Sequence, residues 1–319
     1  MLALEDHWVW DSWYLHDGAL WHCWYLKAPK AICDPALRHW HVSQGHAVSD
    51  DLASWRDHST SLEPSPGPAW DDYTTWTGSV VRGEDGLWHY FYTGTSRAEE
   101  GLIQRIGHAT GDDLLGWERA GDGLCLDIGG TCAALYETEF RGRWHDRAMR
   151  DPWVMKDPEG DGWLMFFTAR VPDVEDTNAA GCIGLAVSPD LFEWTLRPPV
   201  FVGGWGQLEV PQIFERGGDW YCLFCMDPSQ MSRAARAERG EIGRGSHYLI
   251  GEGPRGPWRL PPGPGLDTED ERYAARIVDH HGLKLLGFKD GESRGAFGGY
   301  IMDPVPVLRR PDGALILEG

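Results

Sequence analysis

No run of about 18 apolar residues occurs anywhere in the chain, so no membrane-spanning helix is expected. The N-terminus, MLALEDHW, lacks a basic stretch followed by an apolar one, so a secretory leader is not expected and the chain reads as cytoplasmic. Positive charge is scarce. Against 49 acidic residues stand 29 Lys and Arg, a formal net charge of −20. Such a field repels polyanions, which argues against nucleic acid and anionic membrane as partners and for a small neutral molecule. Cysteine is sparse and odd in number, and its seven copies are spread through strand-like segments, which suits reduced thiols better than a disulfide framework. Cys222 and Cys225 form a C-x-x-C, but "WYCLFC" has a strand pattern and no second pair, so it reads as core packing rather than a zinc site. The 13 histidines show no metal-ligand spacing. Neither a metal nor a cofactor is expected.

What the chain does have is aromatic residues and turn formers: 18 Trp, 41 Gly and 21 Pro point to β structure with many turns. A unit recurs, made of a strand, a Gly- or Asp-bearing turn, an aromatic strand, a third strand and a segment ending in Trp. It reads "DGALWHCWYL" with "GHAVSDDLASW" (to Trp55), "GSVVRGEDGLWHYFYTGT" with "IGHATGDDLLGW" (to Trp117), and "WVMKDPEGDGWLMFFTAR" with "IGLAVSPDLFEW" (to Trp194). The fourth copy is "QIFERGGDWYCLFCM" with "HYLIGEGPRGPW" (to Trp258), and the fifth is "ARIVDHHGLKLLGF" with "GGYIMDPVPVLRRPDGALIL". Units of about four short strands match propeller blades, so the expected fold is all-β, a five-bladed β-propeller forming one domain over residues 1–319. The terminal Trp residues are expected to pack between blades. Residues 56–75, 118–149 and 231–245 read as linkers or insertions. The arginines at 233, 236, 239 and 244 in the last of these suit a solvated loop or short helix, or a grip on an anionic group or second subunit.

The first strand of a propeller blade lines the central channel, so the residues that open the repeats converge. Asp11 opens the first unit, "WTGS" (76–79) the second, "RDP" (150–152) the third, "EVP" (209–211) the fourth and "RYAAR" (272–276) the fifth. Asp11 stands among indoles and phenols in "HWVWDSWYLHDGALWHCWYL". It suits either a turn-capping carboxylate or the floor of an aromatic sugar pocket.

These segments resemble the β-fructofuranosidase superfamily, glycoside hydrolase families 32 and 68. "VWDSW" is similar to the nucleophile segment of the levansucrases, whereas "GHAVSDDLASW", "WTGS", "RDP" and the Glu-x-Pro at 209 look more like invertases and fructanases. The resemblance implies that Asp11 is the nucleophile, Asp151 the transition-state stabiliser and Glu209 the general acid/base. It further implies that Arg150, Trp76 and Ser79 hold the fructosyl ring. Trp10, which flanks Asp11, and Gln44, which stands before "GHAVS" where invertases carry Trp, join the expected substrate-binding residues, as do Tyr273 and Asp270 near the fifth blade. The chain departs from the family pattern in lacking Asn-Asp-Pro-Asn-Gly and in carrying Val210 in place of Cys. Blade five runs to the last residues, so no C-terminal β-sandwich is expected.

The residue types suit this chemistry on their own account. Cleaving a ketofuranoside passes through an oxocarbenium-like state, which needs an ionised carboxylate at the anomeric carbon and, in a retaining enzyme, a second carboxyl roughly 5 Å away that donates a proton to the leaving oxygen. Arg150 is expected to keep the adjacent Asp151 ionised. The leading expectation is a retaining β-fructofuranosidase acting on sucrose or short fructans. Fructosyl transfer to a sugar acceptor, cleavage of a pentofuranoside or pentopyranoside as in family 43, and a non-catalytic binding propeller stand as alternatives.

Overall fold

The computed structural model describes residues 1–129, 134–139, 147–268, 272–291 and 296–318. Its strands form five four-stranded antiparallel sheets, the expected five-bladed β-propeller. Blade one comprises β1 (His7–His16), β2 (Trp21–Pro29), β3 (Ser43–Ser49) and β4 (Arg56–Leu62). Blade two comprises β5 (Thr74–Arg82), β6 (Trp88–Thr95), β7 (Arg105–Gly111) and β8 (Glu118–Leu126). Blade three follows with β9 (Met149–Lys156), β10 (Trp163–Arg170), β11 (Gly181–Ser188) and β12 (Thr195–Val202). Blade four holds β13 (Glu209–Arg216), β14 (Asp219–Met226), β15 (Gly245–Gly251) and β16 (Trp258–Arg259), and blade five β17 (Arg272–Asp279), β18 (Leu283–Lys289), β19 (Val305–Arg309) and β20 (Leu315–Leu317). In the fourth blade a short helix, α1 (Arg233–Arg239), capped by the Ser232 hydroxyl, interrupts the step from β14 to β15. No helix among the described residues is long and apolar enough to cross a membrane.

The second strand of each blade explains the aromatic segments of the repeat. β2 and β10 are buried almost from end to end, because each face of the blade is covered by a neighbouring blade and neither can be polar. On β14 this puts Cys222 and Cys225 in separate core clusters, as packing residues. The terminal Trp residues pack as expected. Trp55 lies against Val278 and Leu286 of blade five, Trp117 against Trp24 of blade one, Trp194 edge-on to Phe91 of blade two, and Trp258 against the cluster containing Leu164 and Phe166 of blade three. Each therefore locks its own blade to the preceding one.

Two segments expected to be linkers are instead strands. Residues 56–62 and 118–126 are β4 and β8, the outermost strands of their blades. Their sequences, "RDHSTSL" and "ERAGDGLCL", show no apolar alternation, because one edge of each strand lies outermost in its blade. The ring closes through the N-terminus: Leu2 exchanges backbone hydrogen bonds with Ile301 at 3.0 and 2.9 Å, joining the first residues to blade five.

All five inner strands carry a β-bulge where they reach the channel mouth. The register slips between Trp10 and Ser12 in β1, between Trp76 and Gly78 in β5, opposite Phe166–Thr168 at Asp151–Pro152 in β9, between Glu209 and Gln212 in β13, and between Tyr273 and Arg276 in β17. In the last three the bulge brings a non-glycine residue to positive φ: Asp151 at 58°, Val210 at 55° and Ala274 at 45°. Close approach dictates glycine nearby, since a Cβ on Gly78 would lie 2.0 Å from the Phe91 carbonyl oxygen and one on Gly287 2.6 Å from the Arg272 side chain. Pro152 and Pro211 are tolerated because the inner strand is a sheet edge facing the channel, where a missing N–H breaks no ladder bond.

Candidate active site

At the channel mouth the bulged residues surround a cavity of about 260 Å³. Asp11, Asp151 and Glu209 all line it, with Trp10, Trp76, Arg150 and Tyr273. Asp11 is the unpaired residue of its bulge, and its Oδ2 accepts a 2.6 Å hydrogen bond from the Thr77 hydroxyl. Burial, reinforced by the nearby Asp151 and Glu209 charges, pushes the Asp11 carboxyl up to about 7, with Thr77 and Arg38 pulling the other way.

Asp151 is held more tightly. Its Oδ2 accepts from the Thr168 hydroxyl at 2.9 Å and the Val210 N–H at 3.0 Å, and its own N–H donates to Thr93 Oγ1 at 2.9 Å. A strained φ costs about 1–3 kcal/mol, and a hydrogen bond to a charged group returns about 1.5–3 kcal/mol, so the Val210 N–H bond to Asp151 is enough to hold one such conformation. The bulges of blades three and four thus stabilise each other. Arg150 Nε lies 3.4 Å from Asp151 and favours its ionised form, as expected, while burial pulls the other way more strongly and raises this carboxyl above the ordinary range.

Arg150 also joins the second acid to the third. Its Nη2 donates to Glu209 Oε1 at 2.9 Å, and the Tyr273 hydroxyl donates to Glu209 Oε2. Glu209 is more accessible than Asp151, its side chain 19 % exposed against 4 %. The acids thus differ in how they are held: Asp151 by three partners, Asp11 by the Thr77 hydroxyl, and Glu209 between a guanidinium and a phenol.

Of the other expected residues, Trp10 and Trp76 form walls, the Trp76 indole fixed by a 3.0 Å bond to the His39 carbonyl. Ser79 and Gln44 are not brought to the cavity. The Ser79 hydroxyl accepts from the Val154 N–H at 3.1 Å, stitching blade two to blade three. Gln44 is fully buried, donating to the Trp76 carbonyl at 2.6 Å and accepting from the Tyr90 hydroxyl at 2.6 Å, so it supports a wall from behind. Asp270 lies outside the described residues.

Several lining residues were not foreseen. Thr77 sits inside the quoted "WTGS", but a regular strand would turn it away from Trp76, and only the bulge exposes both to the cavity. Arg38 comes from the short 3₁₀ helix Pro35–Trp40 and lies 4.1 Å over the Phe297 ring and 5.7 Å from Trp10. Arg244, one of the four clustered arginines, lies 3.9 Å over Tyr273 and bonds Asp227 at 3.1 Å and Asp290. The remaining three pair locally: Arg233 with Glu175 and Asp176, Arg236 with Glu241, and Arg239 with the Pro261 carbonyl.

Comparison with known proteins gives a family and a fold. The family described as "Glycosyl hydrolases family 32 N-terminal domain" matches residues 12–281, beginning one residue after Asp11. Among curated proteins none matches significantly. Among solved structures, an inulosucrase from Halalkalicoccus jeotgali bound to kestose superposes with a TM-score of 0.81 at 22% identity, over 100% of this chain and 90% of that one. The catalytic domain of a Microbacterium saccharophilum K-1 β-fructofuranosidase gives 0.78 at 16% identity, covering 99% and 82%, and a Gluconacetobacter diazotrophicus levansucrase gives 0.75 at 16%, covering 100% and 82%. At these identities the likeness is one of fold.

Proposed function

We propose that this chain, which belongs to glycosyl hydrolase family 32, cleaves terminal β-D-fructofuranosides with retention of configuration, sucrose and short fructooligosaccharides being its substrates. The observation that carries the reading is the convergence of Asp11, Asp151 and Glu209, from blades one, three and four, on one cavity, with Arg150 bonded to two of them. In this scheme Asp11 attacks the anomeric carbon and forms a fructosyl-enzyme. Glu209 protonates the leaving oxygen and then takes a proton from the incoming water, while Asp151 stabilises the charge that develops on the ring. Trp10 and Trp76 offer apolar walls to the sugar's C–H faces. The substrate is a small neutral sugar met in the cytoplasm.

Because the nucleophile must be ionised and kcat/KM reports the free enzyme, its acid limb is expected near pH 7, where Asp11 titrates. Incubation with sucrose, with free glucose and fructose followed over time, tests the function. Equal release supports hydrolysis. Silence with sucrose, kestose and longer fructans alike rejects the fructosidase reading.

Fructosyl transfer is the second reading, favoured by the likeness in fold to an inulosucrase and a levansucrase. Glucose in excess of fructose is its signature in the same assay.

A further inference from the structure

One charged residue of the inner ring has no part in the scheme above. Arg276, on β17 three residues past Tyr273, is 1 % exposed. Its Nη1 donates to the carbonyls of Val210 at 2.9 Å and Pro211 at 2.6 Å, the two bulged residues that follow Glu209, and its guanidinium lies 5.3 Å from the Trp153 ring centre. Nε and Nη2 are buried and have no hydrogen-bond partner among the described residues. The close ion-pair partner of Asp151 and Glu209 is Arg150 instead. A fully buried cation without a touching counter-ion is costly and persists only where opposite charge nearby compensates it. That charge comes from Asp151 and Asp11.

We propose that Arg276 is a positioning residue for the glycosidase reaction: through the Val210 and Pro211 carbonyls it clamps the bulge that aims Glu209 and whose Val210 N–H holds Asp151, and from within the channel its charge favours the ionised forms of both aspartates. Electrostatic coupling is reciprocal, so carboxylates that steady a buried guanidinium are steadied by it in equal measure. The groups facing Arg276 leave it this role. Tyr14 from β1 and Cys222 and Cys225 from β14 are held neutral by burial, which raises each of them, while the guanidinium, lowered to about 10, stays cationic at neutral pH. Asp11 also faces Thr77, Arg38 and Glu209, and Asp151 faces Arg150, Thr168 and Glu209; none of these contacts involves Arg276.

The kinetic part of the test rests on the fructosidase reading, whereas the spectroscopic part needs no substrate. Carboxyl carbons of 13C-labelled protein are titrated in the unaltered chain, Arg276→Met and Arg276→Lys, with Asp11→Asn identifying the Asp11 signal. In Arg276→Met the Asp11 titration and the acid limb of kcat/KM should both move upward, and kcat/KM should fall about 10²-fold as Glu209 loses its aim. Arg276→Lys should return the titration toward its original midpoint. An Arg276→Met protein that is folded and titrates unchanged overturns the proposal, whatever its activity. Should that variant not fold, the unaltered protein decides: the Arg276 15Nε resonance should follow the Asp11 titration and cease to do so in Asp11→Asn, and a resonance indifferent to that titration overturns the proposal as well.

Discussion

Two buried clusters of ionisable groups respond to burial in opposite directions. Around the axis, Asp11 and Asp151 hold their protons to higher pH than free carboxyls do. In the flanks of blades one and two, a repeated chain runs from Asp17 to His22 to His46 and from Asp85 to His89 to His108, with ring nitrogens 2.9 Å apart in each pair. The inner imidazoles lie flat under Trp24 at 4.9 Å and Phe91 at 4.6 Å, and burial drives both down to about 3. One physical cause, the cost of charge in a dry interior, thus makes the acids weak and the bases weak. The difference lies in what each region does with neutrality. The histidines use it to pack, whereas in the proposed reaction the carboxylates must overcome it.

The two clusters also have opposite effects on stability. Asp11 binds its proton more tightly folded than unfolded, so its contribution to stability is greatest below about pH 4 and is lost as pH rises through about 7. His46 and His108 bind protons more tightly when unfolded, so their contribution is intact above about 6.5 and is lost as pH falls toward 3. The largest effect should come from removing the proposed nucleophile. Asp11→Asn is expected to lower turnover by about 10⁴-fold or more, yet raise Tm by several degrees at pH 7 and by much less at pH 4, measured by calorimetry at both values. A variant as active as the parent would sink the mechanism.

On the histidine side, His108→Gln removes a buried group that acid must charge. It should cost about 1–3 kcal/mol at pH 7 through lost stacking and an unpaired His89, while narrowing the gap between urea midpoints at pH 7 and pH 5. An unchanged gap means that protonation of His108 plays no part in acid unfolding. Thr77→Val deletes a hydrogen bond that favours ionised Asp11, so the acid limb of kcat/KM should move upward and kcat/KM at pH 6 should drop about tenfold. Ser79→Ala should have the smallest effect: about 1 kcal/mol in stability, with kcat and KM unaltered, because its hydroxyl serves the blade two to blade three junction. A raised KM would return Ser79 to the pocket.

Much of the frame was legible because it repeats. The Asp-Leu-x-x-Trp ends of the first three units (Asp51 to Trp55, Asp113 to Trp117 and Asp190 to Trp194) mark equivalent turns, and once the blades are counted the positions of Asp11, Asp151 and Glu209 follow. The polar outer strands β4 and β8 were not, since a strand with one edge in water need not alternate. Nor could strand periodicity find the bulges. They decide that Thr77 meets Asp11 while Ser79 turns to structural duty, and three of them rest on backbone conformations that Asp151, Val210 and Ala274 do not favour. Arg38 and Arg244 reach the cavity from segments outside the inner strands, which no reading of the blade openings could reveal.

The bulge at the head of every inner strand bears on how such an enzyme can change. An inserted residue is absorbed locally, and the ladder resumes its register a position later, so the ring of five mouths is insulated from the three outer strands of each blade. Swapping the side chains presented there alters what the cavity grips without retuning the wheel around it. A mutational library confined to these five short stretches would sample specificity at little risk to folding, while the same number of changes placed on β2 or β10 would mostly return unfolded chains.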